Sequence, residues 1–255
     1  MIWWIAAGIL TYISVPIFLP IFQGSLKHNY LNEAIPTGLG LVFVLTGALV
    51  IVARSGTERY AAPFVFVLLF FSILGLLDDA YGEQSRKGFR GHLASRNLTT
   101  GALKAWGGMA ISLAVVSPMS SNWFQFALNG VIIALMANFF NLLDVRPGRA
   151  GKAFLILGLV LFLVEPKSLG PLFGMLCAAG GFLPWDLRRV VMMGDSGSNP
   201  LGAVLGLGCV LVLPLAVRIG AALILLVLNL LSERVSFSEV IESNRFLRYL
   251  DQLGR

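Results

Sequence analysis

Nine apolar runs follow one another through this chain, at roughly 1–21, 36–53, 61–77, 101–117, 123–143, 151–164, 169–185, 199–217 and 219–231. About 20 apolar residues carry a helix across a bilayer core. Backbone polar groups there must be satisfied within helices or closed barrels. The sequence shows no strand pattern and no internal repeat. The predicted fold is therefore all-α, a polytopic integral membrane bundle of about nine transmembrane helices. The sixth and ninth runs are short and read as tilted or partly buried. Composition agrees: 13% of the 255 residues are charged and 57% hydrophobic, against about 25% charged in soluble domains. The chain divides into a transmembrane domain over residues 1–231 and an amphipathic tail over 232–255. Its start, Met1-Ile2-Trp3-Trp4, lacks a basic region and a cleavage site, so it reads as a retained first helix with an interfacial Trp anchor.

Basic residues set the expected orientation. Loops 22–36, 78–100, 144–152 and 186–198, the tail, and Lys104 together carry fifteen Lys and Arg, while the opposite side carries Arg54, Arg59, Lys167 and Arg218. The positive-inside rule makes the richer side cytoplasmic. The net charge of +6 lies in short loops between apolar runs. It suits anionic headgroups and phosphorylated substrates, not nucleic acid. Cys177 and Cys209 sit inside apolar runs and read as small packing residues. In the tail, Ser236-Phe237-Ser238-Glu239 has capping-box spacing. Phe237, Val240, Ile241, Leu247 and Leu250 then form an apolar series, with Arg245 and Arg248 between. Two readings stay open: a helix lying on the membrane surface, or one docked on the protein's own loops.

On the cytoplasmic side stand Asp78-Asp79, Asp144, and Asp195 within Met193-Gly194-Asp195-Ser196-Gly197-Ser198. Ionisable groups at the edge of a membrane tend to be functional. Carboxylates converging on one face suit Mg²⁺, which takes oxygen ligands and usually one or two carboxylates plus substrate phosphates. Arg86, Lys87, Arg90, Lys104, Arg146, Arg149 and Lys152 suit the phosphates. The combination describes phosphoryl transfer, in which positioning and charge neutralisation do most of the catalysis. No P-loop sequence and no His/Cys cluster is present. His92, in Gly88-Phe89-Arg90-Gly91-His92, reads either as a phosphate ligand or as a loop hydrogen bonder.

Leu77-Asp78-Asp79, Asn138-Phe139-Phe140-Asn141-Leu142-Leu143-Asp144 and Met193-Gly194-Asp195-Ser196-Gly197-Ser198 occur in a telling order. By them the chain resembles the polyprenyl-phosphate N-acetylhexosamine-1-phosphate transferases, the MraY/WecA-like phosphoglycosyl transferases of glycosyltransferase family 4 type, over about residues 30–205. Ile35-Pro36-Thr37-Gly38-Leu39-Gly40 is similar to that family's Pro-Thr-x-Gly-Gly, and Lys104 stands where it has a lysine leading into the fourth helix. The resemblance implies Mg²⁺-dependent transfer of a sugar 1-phosphate, an N-acetylhexosamine phosphate, from a UDP-sugar to a polyprenyl phosphate, with UMP released, in cell-envelope glycan biosynthesis. It implies a multi-pass cell-membrane enzyme with its active site on the cytoplasmic face. Asp78 and Asp195 would be metal-associated, and Asp79 would sit beside the lipid phosphate as metal partner or base. Asn138, Asn141 and Asp144 would line the donor pocket; interhelical hydrogen bonding is the alternative for the two asparagines.

The departures concern the donor. Where the family continues Asp-Gly-x-Asp-Gly, this chain has Asp144-Val145-Arg146-Pro147-Gly148-Arg149, with Pro147 in place of the second aspartate. Met192 replaces an aromatic residue. The late His-rich loop has no counterpart, Glu233-Arg234-Val235-Ser236 being nearest by order. The nine runs are about one short of the family's ten or eleven helices. Arg146 or Arg149 is expected to grip the donor's phosphates, guanidinium being suited to bidentate pairing, with looser base selectivity; a plain topology signal is the alternative. A non-enzymatic relative that binds lipid phosphate or lipid-linked sugar as a scaffold or regulator is the competing function. An ion-coupled transporter is a third reading, disfavoured because the acids gather at the membrane edge. The sugar, the nucleotide, the lipid length and the oligomeric state, a homodimer included, stay open.

Overall fold

The computed structural model describes residues 2–82 and 100–255. His92, Arg86, Lys87, Arg90 and Arg96 lie outside them. Among the described residues the apolar runs become helices α1 (Ile2–Phe18), α2 (Gly40–Ala53), α3 (Ala61–Tyr81), α4 (Thr100–Val116), α5 (Trp123–Leu143), α6 (Arg149–Val164), α7 (Gly170–Leu187), α8 (Asp195–Val212) and α9 (Leu215–Leu231). Two short helices follow, α10 (Phe237–Ser243) and α11 (Arg245–Gln252). Among the described residues, four helical stretches are long and apolar enough to cross a membrane: Ile2–Gly24, Ala61–Tyr81, Gly101–Met119 and Trp123–Leu143.

Local chemistry sets the boundaries. The Asn122 side chain accepts the Gln125 amide at 2.9 Å and starts α5, as an N-cap should. Pro171 lies in the first turn of α7, and Pro214 immediately precedes α9; proline's missing N–H costs nothing there. Outward-facing Ile9, Ile13 and Ile17 on α1 and Leu223, Ile224 and Val227 on α9 remain exposed, a face that lipid would cover. Cys177 and Cys209 are free thiols.

The architecture is organised around α8. Every residue from Ser196 to Val210 is buried, because α3 and α5 pack along it and α2 and α6 also touch it. The α3 contact is close. A Cβ at Gly75 would overlap the Asp195 carbonyl, and Ser72 Oγ donates to the Ser196 carbonyl at 2.8 Å.

One element departs from the sequence reading. Leu26–His28 and Ala34–Pro36 form a small antiparallel hairpin, β1 and β2, pairing Lys27 with Ile35. The Asn29 side chain accepts the Leu31 and Glu33 amides, and Asn32 adopts φ 62°; asparagine favours both features in turns. Three-residue strands are too short to show a period of two, so pattern analysis passes over them. The hairpin is stitched to the approach to α8: Met192 N–H donates to the Pro36 carbonyl at 2.8 Å and Gly40 N–H to the Met193 carbonyl at 3.0 Å.

The tail breaks at Asn244, whose side chain accepts the Phe246 and Leu247 amides. It docks on the protein's own 146–152 segment, one of the two arrangements left open by its sequence. Ser236 makes no side-chain capping bond, so the expected capping box does not form.

Candidate active site

At one end of the bundle α3 finishes, α4 and α8 begin, and the hairpin closes over them. The lysine near the start of α4 is central. Lys104 Nζ hydrogen-bonds the Asp195 carboxylate and stands 3.8 Å from Asp78 Oδ2. Asn141 Nδ2 donates to the same Asp195 Oδ2 at 3.0 Å. The side chains of Lys104, Asp195 and Asp78 are 18%, 21% and 25% exposed, so a ligand can reach them.

Asp79 is the buried member, its side chain 3% exposed. Oδ1 takes Lys27 Nζ at 3.0 Å, and Oδ2 takes the Ser196 backbone N–H at 3.1 Å. That amide belongs to the first turn of α8, where unsatisfied N–H groups favour a negative partner. Gly194, at φ 66°, makes the turn into α8. A side chain would strain that backbone and press on Asp79 Oδ2.

Asp144 caps the C-terminus of α5 and is half-buried. Burial, then the charges of Asp186, Asp195 and Asp79, push its carboxyl well above the ordinary range. Asp186 is itself buried and accepts the Gly148 N–H at 2.8 Å, fixing the turn between α5 and α6.

The structure thus gathers Asp78, Asp79, Asp195, Lys104 and Asn141, with Asp144 within electrostatic reach. It leaves others outside. Asn138 donates to Asn229 Oδ1 on α9 at 2.6 Å, which is the interhelical arrangement. The Arg149 fork is spent on Asp251, and Arg146 pairs with Glu242 at 2.9 Å while lying 4.1 Å over the Tyr30 ring. Both guanidinium groups are engaged by carboxylates of the tail and not by the acidic group. Sequence reasoning missed Lys27, Ser196 and Asp186. Only Ser196 carried a signal, its place inside the Gly-Asp-Ser-Gly stretch.

Among the described residues no cluster of three or more His, Cys, Asp or Glu side chains forms a ready metal cage. The donors present are nonetheless of the right kind for a hard cation. Asp78 and Asp195 approach one ammonium together, and their oxygens, with substrate phosphates, match the sparse carboxylate set that Mg²⁺ prefers.

Residues 61–213, which contain Asp78, Asp79, Lys104, Asn141, Asp144 and Asp195, match the profile of glycosyl transferase family 4. The chain belongs to that family. Its curated relatives include the phospho-N-acetylmuramoyl-pentapeptide-transferase of Nautilia profundicola, 26% identical over 224 residues, covering 73% of this chain and 63% of that protein. The enzyme of the same name from Synechococcus sp. is 30% identical over 195 residues, covering 72% and 57%. That from Streptococcus thermophilus is 25% identical over 268 residues, covering 87% and 73%. The chain spans about three-fifths of the length of the first two.

Proposed function

We propose that this family 4 protein transfers a sugar 1-phosphate, an N-acetylhexosamine phosphate, from a nucleotide sugar of the UDP type to a polyprenyl phosphate in cell-envelope glycan synthesis. The observation that carries the reading is the Asp78–Lys104–Asp195 group, partly open to solvent beside the buried Asp79–Lys27 pair. In the reaction, an oxygen of the lipid phosphate bonds to the sugar-bearing phosphorus of the donor. The bridging P–O bond to the nucleotide breaks, and a nucleoside monophosphate leaves with the bond's electron pair.

Asp78 and Asp195 would hold Mg²⁺, which when bound supplies neutralisation of the diphosphate's charge. Lys104 adds a second cation to the same space. Asn141 fixes the rotamer of Asp195. Lys27, about a third exposed, is the cation beside Asp79 to which a lipid phosphate would come. The relatives, each a phospho-N-acetylmuramoyl-pentapeptide-transferase by name, support the reaction class. The altered Asp144–Arg149 stretch leaves donor identity to experiment.

Purified protein given Mg²⁺, undecaprenyl phosphate and a panel of nucleotide sugars is expected to release a nucleoside monophosphate from at least one donor. No release from any donor, with intact lipid binding, would select the scaffold reading instead.

The nine apolar runs support about nine spans, and the charge asymmetry supports an active site on the cytoplasmic face. In a chain with Cys177 and Cys209 replaced by alanine, a cysteine at Ser55 should label from outside intact cells and one at Ser243 should not. The reverse pattern would invert the topology.

A further inference from the structure

We propose that the tail, residues 232–255, is a positioning part of the transfer site, with Asp251 acting through Arg149 on the segment that follows Asp144; this rests on the transferase reading above. Arg149 is 5% exposed. Its Nε and one terminal nitrogen reach the two Asp251 oxygens at 2.8 and 3.0 Å, and its other nitrogen reaches Ser238 Oγ at 2.9 Å. Lys152 Nζ donates to the carbonyls of Leu250, Asp251 and Leu253 at 2.8, 2.6 and 3.1 Å. Arg255 returns the contact, donating to the Pro147 carbonyl at 2.8 Å and to Asp251. Burial alone would raise the Asp251 carboxyl, but the hydrogen bonds and charges of Arg149 and Arg255 outweigh it and hold it below the ordinary carboxylate range.

Arg146, Arg149 and Lys152 are thus all engaged by the tail. Three residues before Asp144, Asn141 holds Asp195, so the segment braced by the tail leads directly out of the acidic group. The docked tail also walls a cavity of about 580 Å³, lined by Tyr30, Arg146, Glu242, Arg248 and Arg255 among others. Its size suits a small molecule. Three guanidinium groups against the Glu242 and Asp251 carboxylates leave the lining net cationic, and with the Tyr30 phenol it suits the anionic nucleotide end of a donor and not a polyprenyl chain. The tail is therefore expected to govern donor affinity and leave the lipid acceptor alone.

Asp251→Asn preserves volume and strips Arg149 of its charged partner. Its donor KM is expected to rise roughly tenfold with kcat little changed and acceptor KM within about twofold, the pattern of a lost ground-state binding contact. The swapped pair Arg149→Asp with Asp251→Arg should recover part of the loss. Should Asp251→Asn fail to fold, Ser238→Ala, which removes the hydrogen bond to Arg149, tests the same brace, with a roughly threefold rise in donor KM expected for the loss of one modest hydrogen bond. Unchanged donor KM in an active variant, or donor and acceptor KM rising in parallel, overturns the inference. A wild-type protein that turns over no donor defeats the transferase reading alone. UDP binding by calorimetry then decides the tail's role: weaker binding by Asp251→Asn upholds it, and equal or absent binding by both proteins ends it.

Discussion

Asp195→Asn is expected to lower transfer by roughly a thousandfold while leaving the fold intact, the scale of loss when one preorganised charge-stabilising group is removed from an active site. Asparagine has the same shape, and Asp195 is partly exposed, so helix packing is undisturbed. What changes is charge. Lys104 now meets a neutral amide, Asn141 faces a group that need not accept its hydrogen bond, and among the described residues Asp78 alone is left as a carboxylate beside the ammonium. A site that must assemble a cation and two phosphates loses half of its anionic anchor. Turnover should be measured alongside thermal unfolding. An unchanged melting temperature with activity lost is the expected result, and full turnover would remove Asp195 from the chemistry.

Gly75→Ala acts through packing instead. The added methyl would collide with the Asp195 carbonyl and the Ser196 amide, backbone atoms that cannot rotate aside. α3 would have to lift from α8, breaking the Ser72–Ser196 bond and parting Asp79 from the Ser196 amide. Overpacking of this sort costs about 1–3 kcal/mol, and here the displaced groups belong to the site, so activity should fall with stability. Gly220→Ala is the control, since nothing lies within 4 Å of the Cβ it would add. Equal melting temperatures for the two variants would show that α3 and α8 have slack at this crossing.

Much of this arrangement was legible in the sequence because it is local. The run at 123–143 and helix α5 coincide, since apolar length is read directly from residues. Asp78, Asp79 and Asp195 stood out because charge at the edge of an apolar run is costly without a use. What escaped depends on partners far away in the chain. Lys27 meets Asp79 across 52 residues, through a hairpin too short to announce itself. Asn138 resolves onto Asn229 across 91 residues, and Arg149 onto Asp251 across 102. A free arginine in a basic loop and one committed to a buried carboxylate look identical in sequence.

The burial of α8 has a consequence for how the protein is made. Its first two turns carry Asp195, Ser196, Ser198, Asn199 and Pro200, and it is not among the four stretches that length and hydropathy qualify to cross a bilayer alone. Polar residues of this kind resist partition into lipid. α3 and α5, both qualified, are synthesised earlier and form the walls against which α8 lies. The chain is therefore expected to order its own biogenesis: the self-sufficient helices settle in the bilayer first, and α8 is admitted afterwards as their guest, bringing Asp195 into place as it arrives.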